Sequence, residues 1–214
     1  MDTFQAIPML RVVLPQDLAA EEVKWYAFDD KQQLHDQGCC AIQNLPAHKT
    51  AQWILPASVV SGYIIPAPSQ RGRHQSALID QMLEDILLDS REDTHVLPAK
   101  PEQGRQCVWL CNKHWLASWL SRWDKFSKAP IKAYAIHDLL PVTAQPVSAR
   151  TVEGHIFRLP DGQTGLLEDF ALVEALAGAP VLQIEKLFER AVANDAVNLS
   201  RRHVQANVVQ RLNC

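Results

Sequence analysis

The chain contains few glycines and none of the glycine-rich sequences that bind phosphate groups. It has 8 glycines and 13 prolines in 214 residues, and neither a Walker A sequence nor G-x-G-x-x-G occurs. Loops that bind phosphate use glycine because the backbone N–H groups must approach the ligand closely. The sequence therefore argues against a P-loop enzyme and against a dinucleotide-binding enzyme.

Long apolar runs and paired metal-binding cysteines are also lacking. No run of about 18 apolar residues occurs, and the N-terminus has no basic segment followed by an apolar core, so we expect neither a membrane span nor a signal peptide. The five cysteines include no C-x-x-C pair, and the adjacent Cys39 and Cys40 would point to opposite faces of a strand. We expect reduced thiols in a cytoplasmic protein, with no metal site and no cofactor.

Charge and catalytic motifs exclude further classes. The net charge is −3 and the pI is about 6.2, which argues against a nucleic-acid partner. Neither G-x-S-x-G nor H-E-x-x-H occurs. His114 lies near Cys111, but packing at a helix entry explains both residues better than a catalytic pair does. We predict no catalytic residue, within an ordinary globular composition of 47% hydrophobic residues.

Short apolar segments and turns fill the first 65 residues. After an apolar run at 9–14, strands are predicted at 23–28 and 34–42 and joined by a turn at 29–32. A short helix is predicted at 45–51, beginning at Pro46. Two further strands, 52–55 and 59–65, are interpreted as a pair that leads into the next helix.

That helix is predicted over residues 70–89, with Ser69 as its N-cap. Its apolar stripe consists of Leu78, Ile79, Met82, Leu83, Ile86 and Leu87. Three acidic residues, Glu84, Asp85 and Asp89, lie on or beside the opposite face. Acids near a helix C-terminus are disfavoured by about a few tenths of a kcal/mol, which favours a partner-binding role. The alternative is a solvated helix face.

A buried strand followed by a tryptophan-rich helix is the next feature. The predicted strand 106–111 places Val108 and Leu110 on one face and Cys107, Trp109 and Cys111 on the other. Asn112 is expected to cap a helix over 113–127, and a strand at 131–136 follows, which predicts a parallel strand pair joined by a right-handed crossover. In that helix, Trp115, Trp119 and Trp123 are assigned to the core; an exposed aromatic surface for a partner is the alternative.

Prolines at 141 and 146 mark the best candidate boundary. We predict a first lobe over 1–143, a smaller second lobe over 144–200, and a tail over 201–214. The second lobe is expected to contain a hairpin of 152–159 and 164–167 around a turn at 160–163. A helix at 168–177 should end at Gly178, and a last strand should follow at 180–185.

The order and spacing of these segments resemble the cytoplasmic domain of the protein L family of the bacterial type II secretion system (general secretion pathway protein L, GspL). The resemblance is carried by I-L-P-A-S-V-V at 54–60, I-I-P-A-P at 64–68, M-L-E-D-I-L-L-D-S-R-E-D-T-H-V at 82–96, C-V-W-L-C-N-K-H-W-L-A-S-W-L at 107–120 and I-H-D-L-L-P at 136–141. It covers about residues 52–141 and extends to about 190.

The resemblance implies a mixed α/β, actin-like architecture with two ribonuclease-H-like lobes. It further implies a non-enzymatic scaffold on the cytoplasmic face of the inner membrane, which recruits the secretion ATPase by binding its N-terminal domain. The M component of the inner-membrane platform and a second copy of the chain are further implied partners. The link to the membrane would be a segment absent from this chain, towards which the tail 201–214 leads.

The resemblance also directs attention to the turns that bind phosphate in actin-like ATPases. Such an ATPase has an Asp and a glycine-containing turn between its first two strands, and here the corresponding turn is predicted at 29–32, which contains no glycine. A second turn, 160–165, contains Gly162 and Gly165 but lies in the reduced lobe. We hypothesise that the fold is retained without nucleotide binding. The alternatives are an active actin-like ATPase, a sugar-kinase-like phosphotransferase, or a scaffold of type IV pilus assembly.

Overall fold

The computed structural model describes residues 6–68, 73–84, 93–98 and 104–190. Within these ranges the strands are β1 Ile7–Val13, β2 Glu22–Phe28, β3 Leu34–Ala41, β4 His48–Leu55, β5 Val60–Pro66, β6 Thr94–Pro98, β7 Arg105–Asn112, β8 Ile131–Ala135, β9 Val147–Thr151, β10 Gly154–Arg158, β11 Thr164–Leu167 and β12 Leu182–Gln183. The α-helices are α1 Arg73–Glu84, α2 Lys113–Trp123 and α3 Phe170–Ala177. Single 3-10 turns lie at Ile42–Asn44, Ile136–Leu139 and Leu187–Glu189.

A five-stranded sheet in the order β3-β2-β1-β4-β8 organises the first part of the chain. β1, β2 and β3 are antiparallel neighbours, whereas β4 is parallel to both β1 and β8. Apolar side chains on one face pack against α2. The three tryptophans of α2 are buried in this core, which confirms their assignment, and Trp123 meets the Trp53 ring edge-on with centroids 5.4 Å apart.

A three-stranded antiparallel sheet in the order β5-β7-β6 lies against the same core. The predicted alternation along β7 is confirmed. Val108 and Leu110 pack with Ile79 and Leu83 of α1, and Trp109 packs on the α2 side. Because both faces of β7 are covered, the strand reads as a nearly continuous apolar run.

The third sheet repeats the topology of the first. Its order β11-β10-β9-β12, with β9 antiparallel to β10 and parallel to β12, matches the order and directions of β3-β2-β1-β4. An apolar cluster joins the two sheets, since Ile54 and Tyr134 of the first pack with Val147 and Ile156 of the third. The lobe boundary placed at residue 143 stays a prediction.

Three local predictions were wrong. The helix predicted at 45–51 is absent: residues Ile42–Asn44 form a 3-10 turn and β4 already begins at His48, because pairing with β1 overrides the local helix signal at Pro46. The strands predicted at 52–55 and 59–65 are not a pair, since β4 and β5 lie in different sheets. Likewise β7 and β8 are not neighbours, and the parallel partner of β8 is β4.

The helix termini agree better with the sequence. Asn112 accepts a hydrogen bond from the Trp115 N–H at 2.9 Å as the cap of α2, although α2 ends at Trp123 and not at 127. α3 ends at Gly178 in the left-handed conformation, as predicted. The predicted helix 70–89 is observed as α1, whereas Ser69, Ile86 and Leu87 lie outside the described residues. Within the described ranges, no helix combines the length and apolar character needed to cross a bilayer.

Candidate functional site: the cleft between the five-stranded and four-stranded sheets

The parallel strands place their carboxyl ends at one edge of each sheet. In open α/β sheets, ligands bind at the carboxyl ends of the strands. The loop 14–21 follows β1, the turn 56–59 follows β4, and the 3-10 turn Ile136–Leu139 follows β8. On the four-stranded sheet, the turn between β9 and β10 carries Glu153. This edge is therefore the position at which an actin-like ATPase would hold its nucleotide.

The turns predicted from the sequence as the phosphate-binding positions, 29–32 and 160–163, are wrong. Each lies one strand connection further along the chain than the turn between the first two strands of its sheet. The strands predicted at 23–28 and 34–42 are β2 and β3, and β1 precedes both of them. The turn between the first two strands is therefore the loop 14–21, whereas residues 29–32 connect β2 to β3. In the same way, residues 160–163 connect β10 to β11, and the corresponding turn lies at 152–153. The loop 14–21 also contains no glycine.

The loop 14–21 is tied to α2 through its own carbonyl groups. The Trp115 indole N–H donates to the Gln16 carbonyl at 2.8 Å. The Arg122 guanidinium donates to the carbonyls of Leu18 and Ala20 at 3.0 and 3.1 Å. Asp17 accepts a hydrogen bond from the Ala19 N–H at 2.8 Å. The contacts with α2 hold the loop in place, and the Asp17 carboxylate occupies the backbone N–H of Ala19.

Glu153 bridges the two sheets at this edge. Its Oε2 accepts a hydrogen bond from the Ala57 N–H at 2.9 Å, and its Oε1 accepts from the Ser58 N–H at 3.3 Å and from the Ser58 hydroxyl. Three donors of the turn after β4 thus bind one carboxylate from a turn 95 residues further along the chain. An anion already occupies the backbone amides of the cleft.

A buried charged cluster lies beside this contact. The Arg158 guanidinium donates to the His137 carbonyl at 2.8 Å and lies 3.6 Å from Asp138, whose second oxygen accepts from the Ala135 N–H at 3.2 Å. The His137 ring donates from Nε2 to the Gly165 carbonyl at 3.1 Å, and burial lowers the pKa of His137 to about 4. The cluster ties the end of β8 to β10 and β11 and holds His137 neutral.

The segment I-H-D-L-L-P at 136–141, which the sequence analysis uses only for the family resemblance, lies in this cluster. The sequence does not indicate Arg158 as a partner of its aspartate. Burial and the nearby Asp138 carboxylate raise the pKa of Cys107 to about 11, and burial raises the pKa of Cys111 to about 12. Both thiols are therefore held in the protonated, unreactive form.

A second buried cation joins the end of the described chain to the five-stranded sheet. The Arg11 guanidinium donates to the carbonyls of Phe188 and Arg190 at 2.6 Å each, and to Gln52 Oε1 at 2.9 and 3.1 Å. It also lies 4.7 Å from the Phe28 ring centroid. Burial lowers the pKa of Arg11 to about 10. No feature of the sequence indicated this contact across almost the whole chain.

Of the three predicted partner-binding residues, the structure describes only Glu84. Glu84 is exposed at the last described residue of α1, while Asp85 and Asp89 lie outside the described residues. No three His, Cys, Asp or Glu side chains in the described ranges are close enough together to hold a metal ion. The partner assignment of these three residues stays a prediction.

No protein-family model matches the sequence, and no curated protein matches it by sequence. Solved structures do match. The cytoplasmic domain of EpsL, an inner membrane component of the type II secretion system of Vibrio cholerae, superposes with a TM-score of 0.66 at 14% identity over 94% of each chain. The PilM–PilN type IV pilus biogenesis complex matches with a TM-score of 0.57 at 13% identity, over 81% of this chain and 66% of that chain.

The chain is therefore a mixed α/β protein with an actin-like ATPase fold, as predicted. Over nearly its whole length, that fold is the one found in the EpsL cytoplasmic domain. This confirms, at the level of the fold, the resemblance to protein L of type II secretion. It also explains the repeated strand order of the two larger sheets, which are the two halves of an actin-like arrangement.

Proposed function

We propose that this chain is a non-enzymatic scaffold of a type II secretion inner-membrane platform, positioned at the cytoplasmic face of the bacterial inner membrane. Its role is to recruit the secretion ATPase for protein export. One observation carries the non-enzymatic part of the proposal: the amides at the carboxyl edge of the cleft are bound to Glu153. The assignment to secretion is supported by the EpsL-like fold.

A nucleotide would meet unfavourable electrostatics in this cleft. A phosphate placed near Ala57 and Ser58 would face the carboxylate that already holds their N–H groups. Two like unit charges 4 Å apart repel by about 4 kcal/mol at the effective dielectric of a protein surface. A triphosphate carries several charges, so its binding would require Glu153 to leave the turn.

The scaffold acts by raising the concentration of the ATPase at the membrane. Exposed Glu84, together with Asp85 and Asp89, is proposed to pair with basic groups on the N-terminal domain of the ATPase. The M component and a second copy of this chain are the other proposed partners.

A pull-down with the N-terminal domain of the ATPase tests recruitment. The intact chain should retain that domain, and replacing Glu84, Asp85 and Asp89 together by Lys should weaken retention. The matched control replaces three exposed acids elsewhere in the chain, Glu21, Asp30 and Glu174, by Lys and so makes the same change in net charge. Equal loss in both variants would show a nonspecific charge effect and would move the interface elsewhere.

A type IV pilus scaffold is the second candidate, supported by the likeness to PilM. The EpsL cytoplasmic domain matches over more of this chain and with a higher TM-score, which favours the secretion role. Parallel pull-downs with an M component and with a PilN-type protein separate the two: the secretion proposal requires preference for the M component. Turnover of ATP by the purified chain would instead support an active ATPase.

A further inference from the structure

The Glu153 carboxylate is bound by the donors of the turn 56–59 in the way that a separate carboxylate ligand would be bound. We call this turn the receptor. We propose that the turn 56–59 is a carboxylate-binding site, which Glu153 fills as a built-in ligand and which takes a carboxylate from outside the chain when Glu153 is withdrawn. The inference rests on the geometry of the cleft and is independent of the proposed role in secretion.

The receptor is a closed β-turn. The Val59 N–H donates to the Pro56 carbonyl at 3.2 Å, which leaves the N–H groups of the two central residues, Ala57 and Ser58, available for a ligand. Successive N–H groups in a turn form a concavity that binds anions. The Ser58 hydroxyl adds a third donor beside them.

This receptor does not depend on Glu153 for its shape. The turn follows the last residues of β4, where Trp53, Ile54 and Leu55 are buried in the joined cores. Ala57 is itself packed in the apolar cluster between the sheets. Removal of the Glu153 side chain should therefore leave the donors in place and without a ligand.

The ligand side is organised separately. The Glu153 N–H donates to the Thr151 hydroxyl at 3.2 Å, and that hydroxyl donates to the Gly154 carbonyl at 3.0 Å. Gly154 has φ of +135°, and a Cβ there would lie 2.6 Å from the Leu167 carbonyl oxygen, so only glycine fits. The hairpin thus holds Glu153 in position to reach across the cleft.

The donors match the two oxygens of a carboxylate. The two oxygens of one planar group are shared between adjacent N–H groups, one at each, and the three donors are all uncharged. Among the described residues, no Lys, Arg or His nitrogen forms an ion pair with Glu153. The paired oxygens of a single carboxylate therefore fit this turn.

The site can be reached from solvent. Ser58 is exposed and Glu153 is partly exposed, so a competing carboxylate could approach the same donors. Because Glu153 joins two different sheets, its displacement would release one of the contacts that hold them together. An acidic side chain or a chain terminus of a docking protein has the required chemistry.

The test is a titration of the intact chain carrying Glu153→Ala with acetate. Binding is measured from the amide NMR signals of Ala57 and Ser58. We expect saturable shifts of both signals with acetate in E153A and none with chloride at equal ionic strength. In the unchanged protein, acetate should move neither signal. Adding Ser58→Ala to E153A removes one donor and should weaken the acetate response.

The absence of a saturable acetate shift in folded E153A would overturn the proposal, as would equal shifts with chloride. If E153A does not fold, Glu153→Ser, whose side chain is also too short to reach the turn, takes its place with the same expected acetate shifts. No shift in that variant would also overturn the proposal. Neither result bears on the ATPase pull-down, so the two proposals can fail separately.

Discussion

The buried pair of Asp138 and Arg158 allows a sharp prediction about stability. The two side chains are 2% and 8% exposed, and they join the end of β8 to β10. In Arg158→Met the apolar stem is kept, but the buried Asp138 carboxylate loses its contact with the guanidinium, and the His137 carbonyl loses the hydrogen bond from Arg158. Breaking one side of a buried pair costs about 3–5 kcal/mol.

In a chain of this size, 1 kcal/mol corresponds to about 2–4 °C in Tm, so the expected fall is about 6–20 °C. Thermal unfolding followed by the fluorescence of the six tryptophans measures it. Arg150→Met, on the neighbouring strand β9 and exposed, is the matched control and should change stability by less than about 0.5 kcal/mol.

The double variant separates the pair from the individual side chains. Asp138→Asn keeps an oxygen for the Ala135 N–H, and combined with Arg158→Met it leaves no buried charge from the pair. The double variant should therefore lose less stability than the sum of the single variants, by about 0.5–3 kcal/mol. Two results would contradict this prediction: stability losses of the single variants that add exactly in the double variant, or a decrease in Tm of less than about 2 °C for Arg158→Met.

Three further predictions follow from burial. Trp119→Ala should cost about 3–5 kcal/mol of unfolding free energy because the side chain is fully buried, whereas Phe126→Ala, at a half-exposed position, should cost far less; urea unfolding measures both. Burial lowers the pKa of His137 to about 4, so between about pH 6.5 and 4 the unfolded chain binds a proton at His137 that the folded chain does not bind. The free energy of unfolding should therefore decrease as pH falls through this range. His137→Gln should make that decrease smaller. Maleimide should label the exposed Cys39 in the folded chain, but label Cys107 and Cys111 only after unfolding, as peptide mass spectrometry can show.

Elements with a strong local pattern were predictable. The alternation along β7, the Asn112 cap of α2 and the Gly178 stop of α3 depend on residues within a few positions of each other. β1 was missed as a strand because Pro8 and the charged Arg11 interrupt its apolar run, although Arg11 is only 1% exposed. Its guanidinium is satisfied by carbonyls at 188 and 190, which no local pattern can indicate.

Missing β1 had a consequence for the candidate site. Without β1, the sequence predicts the turn at 29–32 as the first turn of the sheet, whereas the structure has the loop 14–21 in that position. The missing β9 shifted the second turn in the same way and hid Glu153 inside a predicted strand. The partners of Glu153 are 95 and 96 residues away, so this contact depends wholly on the tertiary arrangement.

The absence of nucleotide binding is tested most directly by isothermal titration calorimetry of the intact chain with Mg-ATP. Glu153 and the anchored loop 14–21 occupy the edge where an actin-like ATPase binds phosphate, so we expect no saturable binding. Stoichiometric, tight binding of Mg-ATP would contradict it.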